Sequence, residues 1–452
     1  MTSTGSIIDQ YCFKKPHSED RLGIEEKPTL LLVPLRPIIQ ISLILLLDEK
    51  NLTTQGLRFT VVGMNDEQCP LFSPEVQQLI AQHRVFSGGR RHRELVADLL
   101  PAGAVWIDII VPLSTVYQEY RALDEPVLVF ASGDPLFFGF TTTLMREFPD
   151  QVAQTFPSFS SLQMLAHSLR LPYHDMRVVS LTGRPWLELD RALIERAAKV
   201  GVLTDKKNTP ALIAQRMIDY GYTGYQMHIG VRLGGSREEV YSLPLHEVVG
   251  REFGHPNCLI IEDPQPTAYD APIGLQELDF FPLNGRVNMI TKMPVRLVSL
   301  SLLELDRRRS FWDVGFCTGS VSIEAKLRYP HLLVNSFEVR PEGKELMEIN
   351  SRRFHAPGID YHIGDFLSQD LESLPRPEAA FIGGHGGKLI EFVERLTALM
   401  GADGVLVFNS VSEETLALFR EAVKRVGWHI SYETLLAVDA HNPITILQAN
   451  GK

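Results

Sequence analysis

Cysteine is scarce. Cys12, Cys69, Cys258 and Cys317 are scattered over 452 positions, with no partner Cys or His at metal-ligand spacing. This argues against a disulfide framework and a structural zinc site, so no metal is expected and a reducing cytoplasm is the expected setting. A surplus of positive charge is also missing. Lys and Arg total 44 against 55 Asp and Glu, for a formal net charge of −11. Binding nucleic acid requires cations to neutralise phosphates, so no nucleic-acid partner is expected. Long apolar runs are absent too. Ile38 to Leu47 is broken by Gln40 and Ser42 and preceded by Pro34, Arg36 and Pro37, where a membrane span needs about 20 apolar residues. Asp9, Glu19 and Asp20 suit a secretory signal poorly. A soluble chain without a membrane partner is expected.

The remaining composition is 44 % hydrophobic and 22 % charged, which excludes a disordered chain or a fibrous rod. The length suits two to four domains. Residues 1–57 carry no recognisable chemistry and read either as an accessory or partly disordered N-terminal extension or as a surface or partner-binding helix. From Leu57 strand and helix patterns alternate. Arg58 to Val62 reads as a strand. Ser73-Pro74-Glu75 reads as a helix start with Pro in the first turn. Val127 to Phe130 and Lys199 to Leu203 read as buried strands, the latter followed by a helix from Thr209-Pro210. Such alternation implies parallel sheet with crossover helices. Three prolines between Glu262 and Ile273 mark a break, and residues 263–285 read as a linker. A second alternating series follows, with strands at Phe311–Val314, Asn335–Glu338, Ala379–Ile382 and Gly404–Phe408 and a closing antiparallel pair.

Phe311 to Ala325 is a strand, a glycine-bearing loop and a helix. Gly315 and Gly319 permit tight turning and close approach of a ligand. N–H groups at a helix start can hold an anionic group such as a carboxylate. Glu338 ends the next strand, nineteen residues after Gly319, where an acid can accept ribose hydroxyls. Asp365 ends the third strand and suits an adenine amino group. The loop lacks GxGxxG, and its wider GxxxG spacing suits S-adenosylmethionine, which has no pyrophosphate. Gly383-Gly384-His385-Gly386-Gly387 lets a large flat ligand lie against backbone donors. His385 is either a binder of a substrate carboxylate or an exposed loop histidine.

Ile290-Thr-Lys, Pro294-Val-Arg296, Asp313-Val-Gly315, Thr318 to Ala325, Gly364-Asp365 and Phe381-Ile-Gly-Gly384 resemble the C15-methylating, decarboxylating enzymes of cobalamin biosynthesis over about residues 286–450. The resemblance implies S-adenosylmethionine contacts from Thr291, Asp313, Gly315, Thr318, Gly319, Glu338, Asp365 and Phe366. The family loop has a glycine where this chain has Cys317, which reads as a small packing residue. The family's Ile-Gly-Gly-Ser-Gly-Gly strand end carries His385 here.

In the first half, Val129 to Gly139 contains Ser132-Gly133-Asp134-Pro135, a strand end followed by a helix that Asp134 is placed to cap. With Val61-Val-Gly63, Ser87 to His92, Pro157 to Ser161, Val179 to Pro185, Leu203-Thr-Asp205 and Leu233-Gly-Gly235, the string resembles the C5-methylating tetrapyrrole methylases over about residues 58–262. That family has two α/β subdomains with the cofactor between them. The resemblance implies cofactor contacts from Gly63, Ser132, Gly133, Asp134, Ser161, Leu162, Leu203 and Thr204. Asn65 and Asp66 stand where a second glycine would follow Gly63. The run Arg90-Arg91-His92-Arg93 is either a solvated helix face or a clamp for substrate carboxylates.

Together the halves resemble the bifunctional family that methylates precorrin-6Y at C5 and C15 with decarboxylation. The expectation is therefore an α/β chain: a tetrapyrrole methylase fold at 58–262 and a Rossmann-like class I methyltransferase at 286–452. It would have two S-adenosylmethionine sites and a corrin-precursor substrate, and form a homo-oligomer. Gly383 to Gly387, Arg90 and Arg91 are the candidates for substrate orientation, and no general base is nominated. The alternatives are an RNA methyltransferase or a non-catalytic S-adenosylmethionine sensor.

Overall fold

The computed structural model describes residues 56–65, 70–266, 273–286, 289–438 and 443–451. Nearly all of the expected N-terminal extension, the loop residue Asp66 and the middle of the expected linker lie outside the described residues. From Gly56 onward the chain is one compact unit.

Three sheets follow in chain order. The first contains β1 (Phe59–Met64), β2 (Val85–Gly88), β3 (Val105–Asp108), β4 (Val127–Ser132) and β5 (Val152–Phe156) in the order β3-β2-β4-β1-β5. All its pairings are parallel. β1 is buried throughout and β4 up to Ala131, as expected for strands covered on both faces. Ser73 caps the helix Pro74–Gln82, its Oγ accepting from Val76 N–H at 3.3 Å.

The second sheet has β6 (Arg177–Ser180), β7 (Lys199–Leu203), β8 (Gln226–Val231), β9 (Glu239–Pro244) and β10 (Asn257–Glu262), ordered β6-β7-β10-β8-β9. Only β6 and β7 run parallel, and the other pairings are antiparallel. The expected alternation therefore ends at β8. Arg232 and Gly234, both at positive φ, turn the chain directly into β9 without a crossover helix.

The third sheet contains β11 (Ser310–Val314), β12 (Leu333–Glu338), β13 (Ile359–Ile363), β14 (Ala379–Ile382), β15 (Val405–Ser410), β16 (His429–Leu436) and β17 (Ile444–Asn450). Its order is β13-β12-β11-β14-β15-β17-β16. β11 to β15 pair in parallel, and the chain closes with antiparallel β17 and β16. This is a doubly wound, Rossmann-like sheet following two α/β subdomains.

The stretch expected as a linker is not loose after Ile273. Leu275, Phe280 and Leu283 are buried. Gly274 N–H donates to Glu324 at 2.6 Å, and Phe281 N–H to Asn350 at 2.8 Å. Ile194, from the second-sheet subdomain, joins Leu275, Phe280 and Phe316 in one apolar cluster. The Tyr222 hydroxyl donates to the His355 carbonyl at 2.7 Å, and His355 Nδ1 to the Tyr220 carbonyl at 2.7 Å. Among the described residues, no helix is long and apolar enough to cross a membrane.

Candidate functional sites

Each doubly wound strand set ends in a glycine-turned cavity at the carboxyl ends of its strands, where ligands of open α/β sheets bind. In the first, β1 and β4 deliver Gly63 and Ser132-Gly133 side by side. A Cβ on Gly63 would lie 2.1 Å from the Gly133 carbonyl oxygen and 2.8 Å from Ser158 N, so this backbone approach requires glycine. Gly133 itself has φ +62° and passes the Ser160 backbone. The cavity beside these turns is about 430 Å³. Ser132, Gly133, Asp134, Ser161, Leu203 and Arg91 line it.

Other candidates stand further back. Gly63 holds the turn from behind, and Leu162 is fully buried beneath the wall. Thr204 Oγ1 reaches Asn257, which lines the cavity. Arg90 is exposed and does not line the cavity, whereas Arg91 and His92 do. Asp134 does not cap a helix. Its Oδ1 accepts from Leu136 N–H at 2.9 Å in a tight turn, and the next helix starts at Phe140 behind Gly139. The apolar walls from Phe137, Met164 and Leu233 had no local signal in the sequence. They converge only through tertiary packing.

In the second cavity Gly315 has φ +81°, and a Cβ there would lie 2.4 Å from Gly384 N. The loop after β11 and the glycine-rich end of β14 are thereby pressed together. The space beside them is about 310 Å³, lined by Gly315, Glu338, Asp365, Phe366, Gly384, His385 and Gly386. Phe366 packs edge-on to Phe337 at 5.0 Å. Lys388 Nζ donates to Asp365 at 2.6 Å, and with backbone donation from Leu367 this holds the exposed carboxyl below its usual range. Cys317 adopts φ +54°, a backbone geometry that glycine takes without strain. Its N–H donates to Glu338 at 2.9 Å.

Four expected contacts lie outside this wall. Asp313 is fully buried, and one of its oxygens accepts from Ser322 N–H and Oγ, so it holds the helix start rather than facing the cavity. Burial, opposed by those hydrogen bonds, pushes its carboxyl up to about 7. Thr318 and Gly319 are buried and do not line the cavity. The Thr291 carbonyl accepts from Arg296 at 2.6 Å.

Both cavities fall in the size range of small-molecule sites. The Gly63–Gly133 and Gly315–Gly384 approaches leave backbone where side chains would otherwise stand, which fits a nucleoside against each loop.

Comparison with known proteins bears directly on this geometry. Residues 62–249 match the tetrapyrrole (corrin/porphyrin) methylases, and residues 280–447 match the precorrin methyltransferase domain. A Sinorhizobium precorrin-6Y C(5,15)-methyltransferase (decarboxylating) is 31% identical over 372 residues, covering 81% of this chain and 88% of the relative. A Salmonella typhimurium cobalt-precorrin-7 C(5)-methyltransferase is 28% identical over 190 residues, 42% of this chain and 92% of its own. That organism's cobalt-precorrin-6B C(15)-methyltransferase (decarboxylating) is 36% identical over 134 residues, 30% of this chain and 68% of its own. At that identity and coverage of the Sinorhizobium protein, the chain belongs to the precorrin-6Y C(5,15)-methyltransferase (decarboxylating) family.

Proposed function

We propose that this chain methylates a precorrin at C5 in the first cavity and at C15 in the second, and removes the ring C acetate carboxyl at the second. The proposed division is a tetrapyrrole methylase module over 58–262 and a C15-methylating, decarboxylating module over 286–452. The observation that carries the reading is the pair of glycine-turned cavities within one chain, each at the carboxyl ends of a parallel strand set. Ser132, Gly133, Asp134, Ser161 and Leu203 would frame S-adenosylmethionine in the first, with Gly63 backing the turn behind them. Gly315, Glu338, Asp365 and Phe366 would frame it in the second.

When bound, S-adenosylmethionine supplies a methyl group already activated on a sulfonium. The residues therefore need to align and exclude water more than to move protons. Holding reactants in near-attack geometry lowers barriers by roughly 7–11 kcal/mol in favourable systems. In the first cavity Phe137, Phe138, Met164 and Leu233 supply the apolar enclosure. In the second, Gly384 and Gly386 leave room for the edge of a macrocycle beside His385. His385 would orient the acetate carboxylate while its C–C bond breaks, carbon dioxide leaving and the bond's electron pair passing into the conjugated ring. A reducing cytoplasm is the proposed setting.

Incubation with labelled S-adenosylmethionine and either metal-free or cobalt-bound precursor tests the reading. The expected product gains two methyl groups and loses one carbon dioxide. Transfer of label to RNA and to no corrin precursor would overturn it.

A further inference from the structure

Three side chains at the wall of the first cavity form a relay with fixed hydrogen-bond polarity. Gly89 N–H donates to His92 Nδ1 at 3.2 Å. Nδ1 therefore presents a lone pair, and the neutral ring carries its proton on Nε2. Nε2–H donates to Ser132 Oγ at 2.9 Å, and Arg91 Nη2 donates to the same oxygen at 2.9 Å. A hydroxyl oxygen has two lone pairs, and both are taken. Ser132 is left with its O–H, which can only donate. Ser132 is exposed on the cavity wall, so that donor is offered to whatever fills the space.

Two further features give the relay its sign. Burial, and after it the Arg91 charge, hold His92 down at about 4, so the ring stays neutral and the polarity is constant at neutral pH. Arg91 also lines a neighbouring cavity of about 500 Å³, and Arg232 lines both spaces. An obligate hydroxyl donor, polarised by one guanidinium and set on a wall shared with a second, selects an anionic acceptor.

The geometry points to a carboxylate subsite in the first cavity, in which Ser132 Oγ–H is the direct donor and Arg91 and His92 are its positioning residues. The inference rests on the proposed seating of methyl donor and corrin in this cavity. Carboxylates occur on both ligands: the methionyl end of the donor and the acid side chains of the macrocycle.

The test is calorimetric titration of the full chain with four probes: S-adenosylhomocysteine, methylthioadenosine (which lacks the carboxylate), a metal-free corrin with free acids, and its methyl ester. Ser132→Ala should weaken one carboxylate-bearing probe about tenfold, the effect of losing a hydrogen bond to a charged acceptor. Its carboxylate-free counterpart should be unaffected. Loss for S-adenosylhomocysteine assigns the subsite to the donor, and loss for the free-acid corrin assigns it to the macrocycle. His92→Phe should reproduce the loss, and the double variant should add little to it. Nucleoside binding at the second cavity serves as an internal control for folding. If Ser132→Ala binds all four probes within about twofold of the parent, the subsite does not exist. If the parent itself binds neither nucleoside nor corrin at the first cavity, the underlying reading fails and the subsite with it.

Discussion

Arg340 grips the carboxylate of Glu338, its neighbour two positions back, through both oxygens: Nε to Oε1 at 2.8 Å and Nη2 to Oε2 at 2.9 Å. The Arg340 and Cys317 backbone N–H groups add donors at 3.0 and 2.9 Å. A carboxylate offers about four lone-pair positions, and these donors fill them. Burial works to raise the Glu338 carboxyl, but the Arg340 contacts outweigh it and hold the group below its usual range. A ribose that uses Glu338 must therefore displace the Arg340 side chain. Arg340→Ala should tighten nucleoside binding at the second cavity severalfold, measured by titration with S-adenosylhomocysteine. Weaker binding would mean that Arg340 itself holds the ligand.

The first cavity has a different point of fragility. The Cβ of Gly63→Ala would meet the Gly133 carbonyl, which is backbone and cannot swing aside. The turn after β4 must shift, and positioning errors of this kind cost about a hundredfold in rate. C5 methylation should fall by about that factor in a single-turnover assay, while C15 methylation of a precursor persists. Equal loss of both methylations would contradict two separate sites.

These residues also mark what a linear reading can reach. Gly63, Gly133 and Gly315 were legible because tight turns leave a composition signature, and Glu338 and Asp365 because strand ends recur at regular spacing. The state of those acids was not legible. That Arg340 fills Glu338, or that Asp313 turns back onto Ser322, depends on rotamers set in three dimensions. Asp134 does not cap because capping requires the helix to begin at once, and here the chain makes a further turn to Gly139. The antiparallel half of the second sheet leaves no local signal because the β8–β9 turn relies on Arg232 at positive φ, which its residue type does not advertise. The Arg90 to Arg93 run showed its charge but not that Arg91 and His92 line the cavity.

Asp313 should leave a signature in the pH dependence of stability. Its folded carboxyl keeps a proton up to about 7, against an ordinary value of 3.8. Between those values the folded chain binds the extra proton, so Asp313 makes stability fall as pH rises and contributes no further slope above. Asp313→Asn removes this penalty, and its Oδ1 can still accept from Ser322. The difference in Tm, variant minus parent, should grow in the variant's favour from about pH 5 to about pH 8. A difference that is constant with pH would show that Asp313 is ionised throughout.

Arg296 should act on stability alone. It is fully buried, paired with Glu324, and also donates to the carbonyls of Leu275 and Thr291. Arg296→Met strands the Glu324 charge, and breaking a buried pair from one side costs about 3–5 kcal/mol. Urea denaturation should register that loss. Arg296→Met combined with Glu324→Leu should recover part of it, since no charge is then left buried.

His385 carries the last prediction. Gly387 N–H donates to its Nδ1 at 3.2 Å, so the neutral ring presents Nε2–H. The ring packs edge-on to Phe408 and lines the second cavity. Burial lowers its pKa from an ordinary 6.5, so it is mostly neutral at pH 7 and can orient a carboxylate by donating one hydrogen bond. His385→Ala should slow carbon dioxide release about tenfold, the worth of a hydrogen bond to a charged group, with C5 methylation unchanged. His385→Gln should restore part of the rate, since its amide also donates. Above about pH 7 the parent's carbon dioxide release should show no inflection from this ring. Undiminished carbon dioxide release from His385→Ala would remove the residue from the decarboxylation step.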